Sequence, residues 1–152
     1  MTQNTNSKLI PCDIGSFESR LNNMISQTAQ YALRAVVCLA IHPEGSLTVG
    51  QLAAMTRVSP EYLSKVMQTL VRADLVTSKP GKTGGFSLKV PAERLSMLTI
   101  VEAIDPPSSE EPYPLDIQSY GSILRPLHQR LSQLTTTVRR ECGKIMVTDL
   151  LP

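Results

Sequence analysis

Three observations predict a mainly α-helical chain with a small β hairpin and a long C-terminal helix. Two short helix signals follow each other between residues 48 and 72, each opened by a side-chain cap. Two β-prone runs then flank a loop, KPGKTGG, rich in glycine and lysine. Last, Tyr120, Leu124, Leu127, Leu131, Leu134, Val138, Cys142 and Ile145 recur at spacings of three and four, the signature of one helix face. Two capped helices running directly into such a hairpin describe a winged helix-turn-helix, and the terminal helix adds a dimerisation element.

With 152 residues, the chain is long enough for one domain with a modest core, or one domain and an appendage. Its formal net charge is only +2, so the placement of charge matters more than its sum. Residues 24–104 carry eight Lys/Arg against five Asp/Glu, residues 105–116 carry four acids and no base, and residues 125–144 carry five bases. Positive charge therefore falls on the motif and the last helix. The first twenty residues are polar, with no apolar core of a signal peptide, and the longest apolar run, 35–41, is too short to span a bilayer. A cytoplasmic protein without a membrane partner is expected. The three cysteines, Cys12, Cys38 and Cys142, are far apart and describe neither a disulfide framework nor a zinc site.

Residues 1–23 mix Asn, Ser, Thr, Pro and Gly without periodicity and read as a flexible arm to which no function is assigned. The domain that follows spans 24–105. Its first helix, 26–42, places Ala29, Ala32, Leu33, Val36, Leu39 and Ala40 on one stripe and ends at Pro43 and Gly45. Cys38 lies off that stripe, as a small hydrophobe or a candidate redox-sensing thiol.

The two helices of the motif begin at Thr48 and Ser59. Thr48 and Gln51 have the spacing of a capping box, in which hydroxyl and amide satisfy each other's orphan backbone N–H groups. Leu52, Ala53 and Met55 face inward, and Arg57 and Val58 make the turn. Ser59 caps the next helix with Pro60 at its first position, where a missing N–H costs nothing. Along that helix Leu63, Val66, Met67 and Leu70 form the packing face, while Glu61, Lys65, Gln68 and Arg72 line the opposite one. Long polar side chains on an outward helix face can address base edges in a major groove. Glu61, Tyr62, Ser64, Lys65 and Gln68 are the candidate base readers.

Residues 75–78 and 86–90 are the expected strands, the second alternating with period two. The loop between them can turn tightly and bring backbone N–H groups and the ammonium groups of Lys79 and Lys82 to phosphates. Ser59, Arg72, Lys79, Lys82 and Thr83 are the candidate backbone contacts.

Beyond the wing, Pro91 breaks the strand, and Thr99 with Glu102 has capping-box spacing before Ile100, Val101, Ala103 and Ile104. Asp105, Pro106 and Pro107 stop that short helix. Residues 106–119 form an acidic, proline-rich loop, and 120–152 the dimerisation helix and tail, with Leu124, Leu127, Leu131, Leu134 and Val138 as its seam. Pro126 suggests that the regular helix begins near Arg125, and Gly143 that it ends there. Cys142 is the second candidate redox-sensing thiol.

From residue 24 to about 151 the chain resembles the Rrf-two family of bacterial winged-helix transcription regulators. The likeness is carried by YALRAVVCLA at 31–40, by QLAAMTRVSPEYLSKVMQTLVRADLVTS, by KPGKTGGFSL, and by LTIVEAID ending at Asp105. It implies a dimeric winged helix binding double-stranded DNA at a palindromic operator, more often as a repressor than an activator. Many relatives hold an iron–sulfur cluster through three cysteines in the loop before the last helix. An ungapped match puts Tyr113, Ser119 and Arg125 at those positions, with His128 where the pattern has a histidine shortly after the third cysteine. Thiolates hold such clusters, so no cofactor is expected here.

The reading is thus a homodimeric, sequence-specific DNA-binding regulator answering to a thiol oxidation, a small ligand or a partner protein. The alternative is a winged-helix interaction module acting on a partner protein through the acidic loop or last helix. An enzyme is not expected: the two histidines are far apart and neither a nucleophile–base signature nor a P-loop is present.

Overall fold

The computed structural model describes residues 25–81, 84–107 and 117–152, without the side chains of 117–124 and 128. The expected N-terminal arm, the wing-tip residues Lys82 and Thr83, and most of the acidic loop lie outside the described residues.

The first helix, α1 (Gln27–Ile41), is opened by Ser26, whose hydroxyl accepts from the Ala29 N–H at 3.1 Å. It is buried over far more of its circumference than one stripe. Ala29, Ala32, Ala35, Val36 and Cys38 all have 0% exposure, while Ala40, placed on the expected stripe, is only half-buried. The reason is its position, since α1 is packed by the two motif helices, by the helix that follows the wing, by the wing itself and by the C-terminal turn. Cys38 therefore belongs to the core rather than to a face beside it.

Helix α2 (Val49–Thr56) begins at the Thr48–Gln51 capping box, with both halves of the exchange formed. Its last N–H groups close on Ala53 through Arg57 and Val58, and Arg57 takes a left-handed conformation, φ 57°. Val58 then drops into the core. Helix α3 (Pro60–Arg72) starts from Ser59 with proline in its first turn and buries the four expected residues, Leu63, Val66, Met67 and Leu70. Full burial of side chains this size contributes roughly 1.5–3 kcal/mol each, which is what holds the helix against α1.

Two antiparallel strands follow, β1 (Val76–Lys79) and β2 (Gly85–Leu88), in the register Val76↔Leu88 to Lys79↔Gly85. The second strand ends at Leu88, two residues before the sequence suggests. The Lys89 and Val90 N–H groups both turn to the Leu75 carbonyl instead. The alternation expected of β2 is also absent, because all four of its residues are half-buried. Its second edge is covered: Leu47 and Phe86 exchange N–H to carbonyl bonds of 2.9 and 2.8 Å, adding a one-residue third strand.

The cap of helix α4 (Met97–Ile104) lies three residues before the expected Thr99. Ser96 is the cap, its hydroxyl accepting from the Thr99 N–H at 3.2 Å, and burial of Met97 and Ile100 draws the extra turn onto α1. The last helix, α5 (Ile117–Lys144), starts well before Arg125 and passes through Pro126, so part of the expected loop is helical. An internal proline removes one bond and costs about 3 kcal/mol, and the unbroken turns on both sides offset it. Gly143 lies inside the helix, one residue before its end, where a Cβ would meet the Leu98 side chain at 3.4 Å, an ordinary contact.

After α5 the chain returns to the core. The Met97 N–H donates to the Ile145 carbonyl at 2.8 Å, the Val147 N–H donates to the Leu95 carbonyl at 2.9 Å, and Val147 is fully buried. This strap fastens the end of α5 to the start of α4. Among the described residues no helix is long and apolar enough to cross a membrane.

Gly85 has φ +151°, and a Cβ there would lie 2.7 Å from the Leu47 carbonyl oxygen, whereas Gly45 has open space around it. Gly85→Ala is expected to lower the unfolding free energy by about 2 kcal/mol. Gly45→Ala should change it by less than about 0.5 kcal/mol; urea titrations of the two proteins compare them.

Candidate nucleic-acid interface

Helix α3 presents its polar face because its start and its packing face are both fixed. The Ser59 hydroxyl accepts from the Tyr62 N–H at 3.4 Å, and the Leu63 N–H donates to the Ser59 carbonyl at 2.9 Å. The buried row then turns Glu61, Lys65, Gln68 and Arg72 to solvent, with Ser64 half-buried at the edge. Glu61 in the first turn and Arg72 in the last match the helix dipole, which favours an acid at the N-terminus and a base at the C-terminus.

Tyr62 is held differently. Its hydroxyl is hydrogen-bonded to Thr28 Oγ1, and its ring meets Tyr31 edge-on, with centroids 5.8 Å apart and planes at 86°. Both partners are on α1, so Tyr62 ties the recognition helix to the helix behind it. Tyr31 is itself engaged by Gln27, whose Nε2 donates to its hydroxyl at 2.7 Å, and by Arg34, whose guanidinium carbon lies 5.5 Å from the ring centroid. Arg34 Nη1 also donates to the Thr56 carbonyl, at the end of α2, at 3.3 Å. The apolar stripe of α1 carried no sign of this polar group; the three-residue spacing of Tyr31 and Arg34 was the only local signal.

The wing stands beside this face. Lys79 is exposed at the end of β1 and paired with Gly85 across the hairpin. The loop is drawn tight by a bond of 2.9 Å from the Gly84 N–H to the Gly81 carbonyl, and a Cβ on Gly84 would collide with the Lys79 carbonyl. Thr77 and Ser87 join the strands through their hydroxyls at 2.9 Å. Lys89 lies at the other end and pairs with Asp74, so it is not part of the tip. Arg72 at the end of α3 and Lys79 at the end of β1 are both exposed.

The candidate thiols occupy different surroundings. Cys38 is fully buried in α1, while Cys142 is half-buried near the end of α5, where burial pushes its thiol pKa up and leaves less thiolate at neutral pH. On α5, Leu127, Leu131 and Leu134 are 55%, 42% and 62% exposed, and Val138 is half-buried. The Leu124 side chain lies outside the described residues.

Helix-turn-helix, wing and solvent-facing polar helix together define a DNA-binding protein of the winged-helix class. Residues 25–152 match the Rrf2 family, described as iron-dependent transcriptional regulators, and the chain belongs to that family of non-enzymatic regulators. It is 30% identical over 115 residues to the candidate HTH-type transcriptional regulator slr0846 of Synechocystis, a match covering 70% of this chain and 77% of that one. A match of 40% identity over 62 residues to the candidate HTH-type transcriptional regulator YwgB of Bacillus subtilis spans 41% of this chain and 40% of that protein. Among solved structures, Staphylococcus aureus CymR is similar at TM-score 0.66 and 25% identity, covering 82% of this chain and 95% of its own.

The iron of the family description has to be weighed against the donors present. Between Asp105 and His128 there is no cysteine; the carboxylate and imidazole donors are Asp105, Glu110, Glu111, Asp116 and His128. Among the described residues no three His, Cys, Asp or Glu side chains are grouped to hold a metal. This donor set does not fit a cluster held by thiolates.

Ser59→Ala removes the cap that opens α3. It is expected to cost about 1 kcal/mol of stability, measured by urea unfolding, with Ser59→Asp restoring most of the loss.

Proposed function

We propose that the protein is a homodimeric, sequence-specific repressor that binds a palindromic operator without an iron–sulfur cluster. The observation that carries the dimer is the row of exposed leucines, Leu127, Leu131 and Leu134, at coiled-coil spacing on α5. Such a row on a helix outside the core is costly to leave in water, and a second copy offers the same row in return. Two-fold pairing would present two α3 helices to half-sites one or more helical turns apart, about 34 Å or a multiple of it.

Within each subunit Glu61, Ser64, Lys65 and Gln68 read base edges. Ser59, Arg72, Lys79, Lys82 and Thr83 set the register on phosphates, and wing contacts from both subunits add to affinity. Repression follows if the bound dimer occupies promoter DNA. Release follows from any signal that changes α5 pairing and with it the spacing of the two readers. The absence of cysteine from the segment between α4 and α5 supports a signal other than an iron–sulfur cluster.

Selection of bound fragments from a random DNA pool, with reduced and then oxidised protein, tests the reading. A palindromic motif is the expected result, and its loss on oxidation would point to a thiol signal. No enrichment in either state would overturn it in favour of a protein-interaction module.

Two sets of variants follow. Leu131→Glu combined with Leu134→Glu should give a monomer in analytical ultracentrifugation and weaken operator binding at least about a hundred-fold, the loss of the linked second half-site. Lys79→Ala should weaken binding to all sequences alike and reduce the salt slope by about one, whereas Lys65→Ala should cost about 1–3 kcal/mol on the operator and relax its sequence preference.

A further inference from the structure

A base-reading helix discriminates only as well as its orientation is held, and here the holding groups lie outside the helix-turn-helix. We infer that Thr28, Tyr31 and Arg34 of α1 are positioning residues for DNA reading, acting through Tyr62 and the Thr56 carbonyl to set the angle at which α3 enters the groove. The inference rests on the DNA-reading function proposed above and deepens it.

Five contacts converge here. Tyr62 sits in the first turn of α3, and its hydroxyl and the Thr28 Oγ1 are 2.5 Å apart. The Tyr62 ring packs edge-on against Tyr31, an arrangement favoured by the aromatic quadrupole and sensitive to angle. Arg34 stands over the Tyr31 ring and reaches the Thr56 carbonyl at the start of the turn between α2 and α3. Gln27 fixes the Tyr31 hydroxyl from the preceding turn of α1.

Both the turn before α3 and its first turn are therefore fastened to the same stretch of α1. Apolar packing alone sets the distance between helices but is non-directional, and a helix resting on a smooth apolar row can roll or tilt by small amounts. Directional bonds at the N-terminal end remove that freedom where Glu61 and Ser64 lie. Thr28, Tyr31 and Tyr62 carry no cationic group, so they contribute to discrimination without adding a phosphate charge contact.

The test uses the full chain and the operator obtained from the fragment selection. Tyr62→Phe and Thr28→Val each remove one side of the same hydrogen bond. Each is expected to lower the ratio of operator to random-sequence affinity by about five-fold, as for one net hydrogen bond, with the salt dependence unchanged. The double variant should lose no more than either single, because the two losses are one interaction. Thr28→Ser, which keeps the oxygen, should restore the wild-type ratio, and Tyr31→Phe should preserve it better than Tyr31→Leu.

A purely structural role would lower the unfolding midpoint while leaving the affinity ratio where it was, and would overturn the inference. So would losses that add in the double variant, or a loss in Tyr62→Phe with none in Thr28→Val, since Tyr62 would then be touching DNA directly. Wild-type protein that selects no sequence would overturn the inference together with the function on which it rests; a selective wild type with unaffected variants would overturn the inference alone.

Discussion

Everything in this domain leans on α1, and α1 can serve that purpose because its buried positions are so small. Ala29, Ala32 and Ala35 have no exposed surface, and alanine lets neighbouring backbones approach closely without opening voids. The motif helices, α4, the wing and the C-terminal turn all meet on this one helix. Once α3 sets Leu63, Val66, Met67 and Leu70 into that surface, the direction of its polar face is no longer free. The outward placement of Glu61, Lys65, Gln68 and Arg72 is a consequence of what their neighbours bury.

The wing and the tail pack on that pillar and are tied by backbone pairs to the segments beside it. Leu47 pairs with Phe86 on one side, and Gly85 permits the approach that the pairing requires. Val147 and its neighbours pair with Leu95 and Ser96 on the other. The same strap anchors one end of α5. Glu102 on α4 and Arg139 on α5 form an ion pair that adds a second attachment. A change in how α5 pairs would therefore be delivered to α4, which packs directly on α1 and α3. Packing thus connects α5 to α3 through α4.

The surface separates into regions with different physical purposes. One is polar and exposed, formed by α3 and the wing. A second is apolar and exposed, along the middle of α5. Between the motif helices and α1 lies the small directional group of Thr28, Tyr31, Arg34 and Tyr62. Membership of the Rrf2 family accounts for the first region.

Much of this was legible in the residues themselves, where a local rule sufficed. Thr48–Gln51 and Ser59–Pro60 place two helix starts because caps act over three residues. The period of Leu63, Val66, Met67 and Leu70 reveals both faces of α3 because a helix has a fixed repeat. The leucine spacing of α5 announces an apolar face, and KPGKTGG a turn. What failed were inferences about ends: Thr99 has cap spacing but Ser96 is the cap, and Pro126 is inside a helix rather than at its start. Those outcomes depend on what lies across from each residue. The sequence by itself determined the order of elements and which face of α3 is polar and outward, because caps and periodicity are short-range. Tertiary structure alone decided that Leu47 completes the wing, that Val147 returns to the core and that Tyr62 answers to α1, because each joins residues far apart in the chain whose meeting no local pattern encodes.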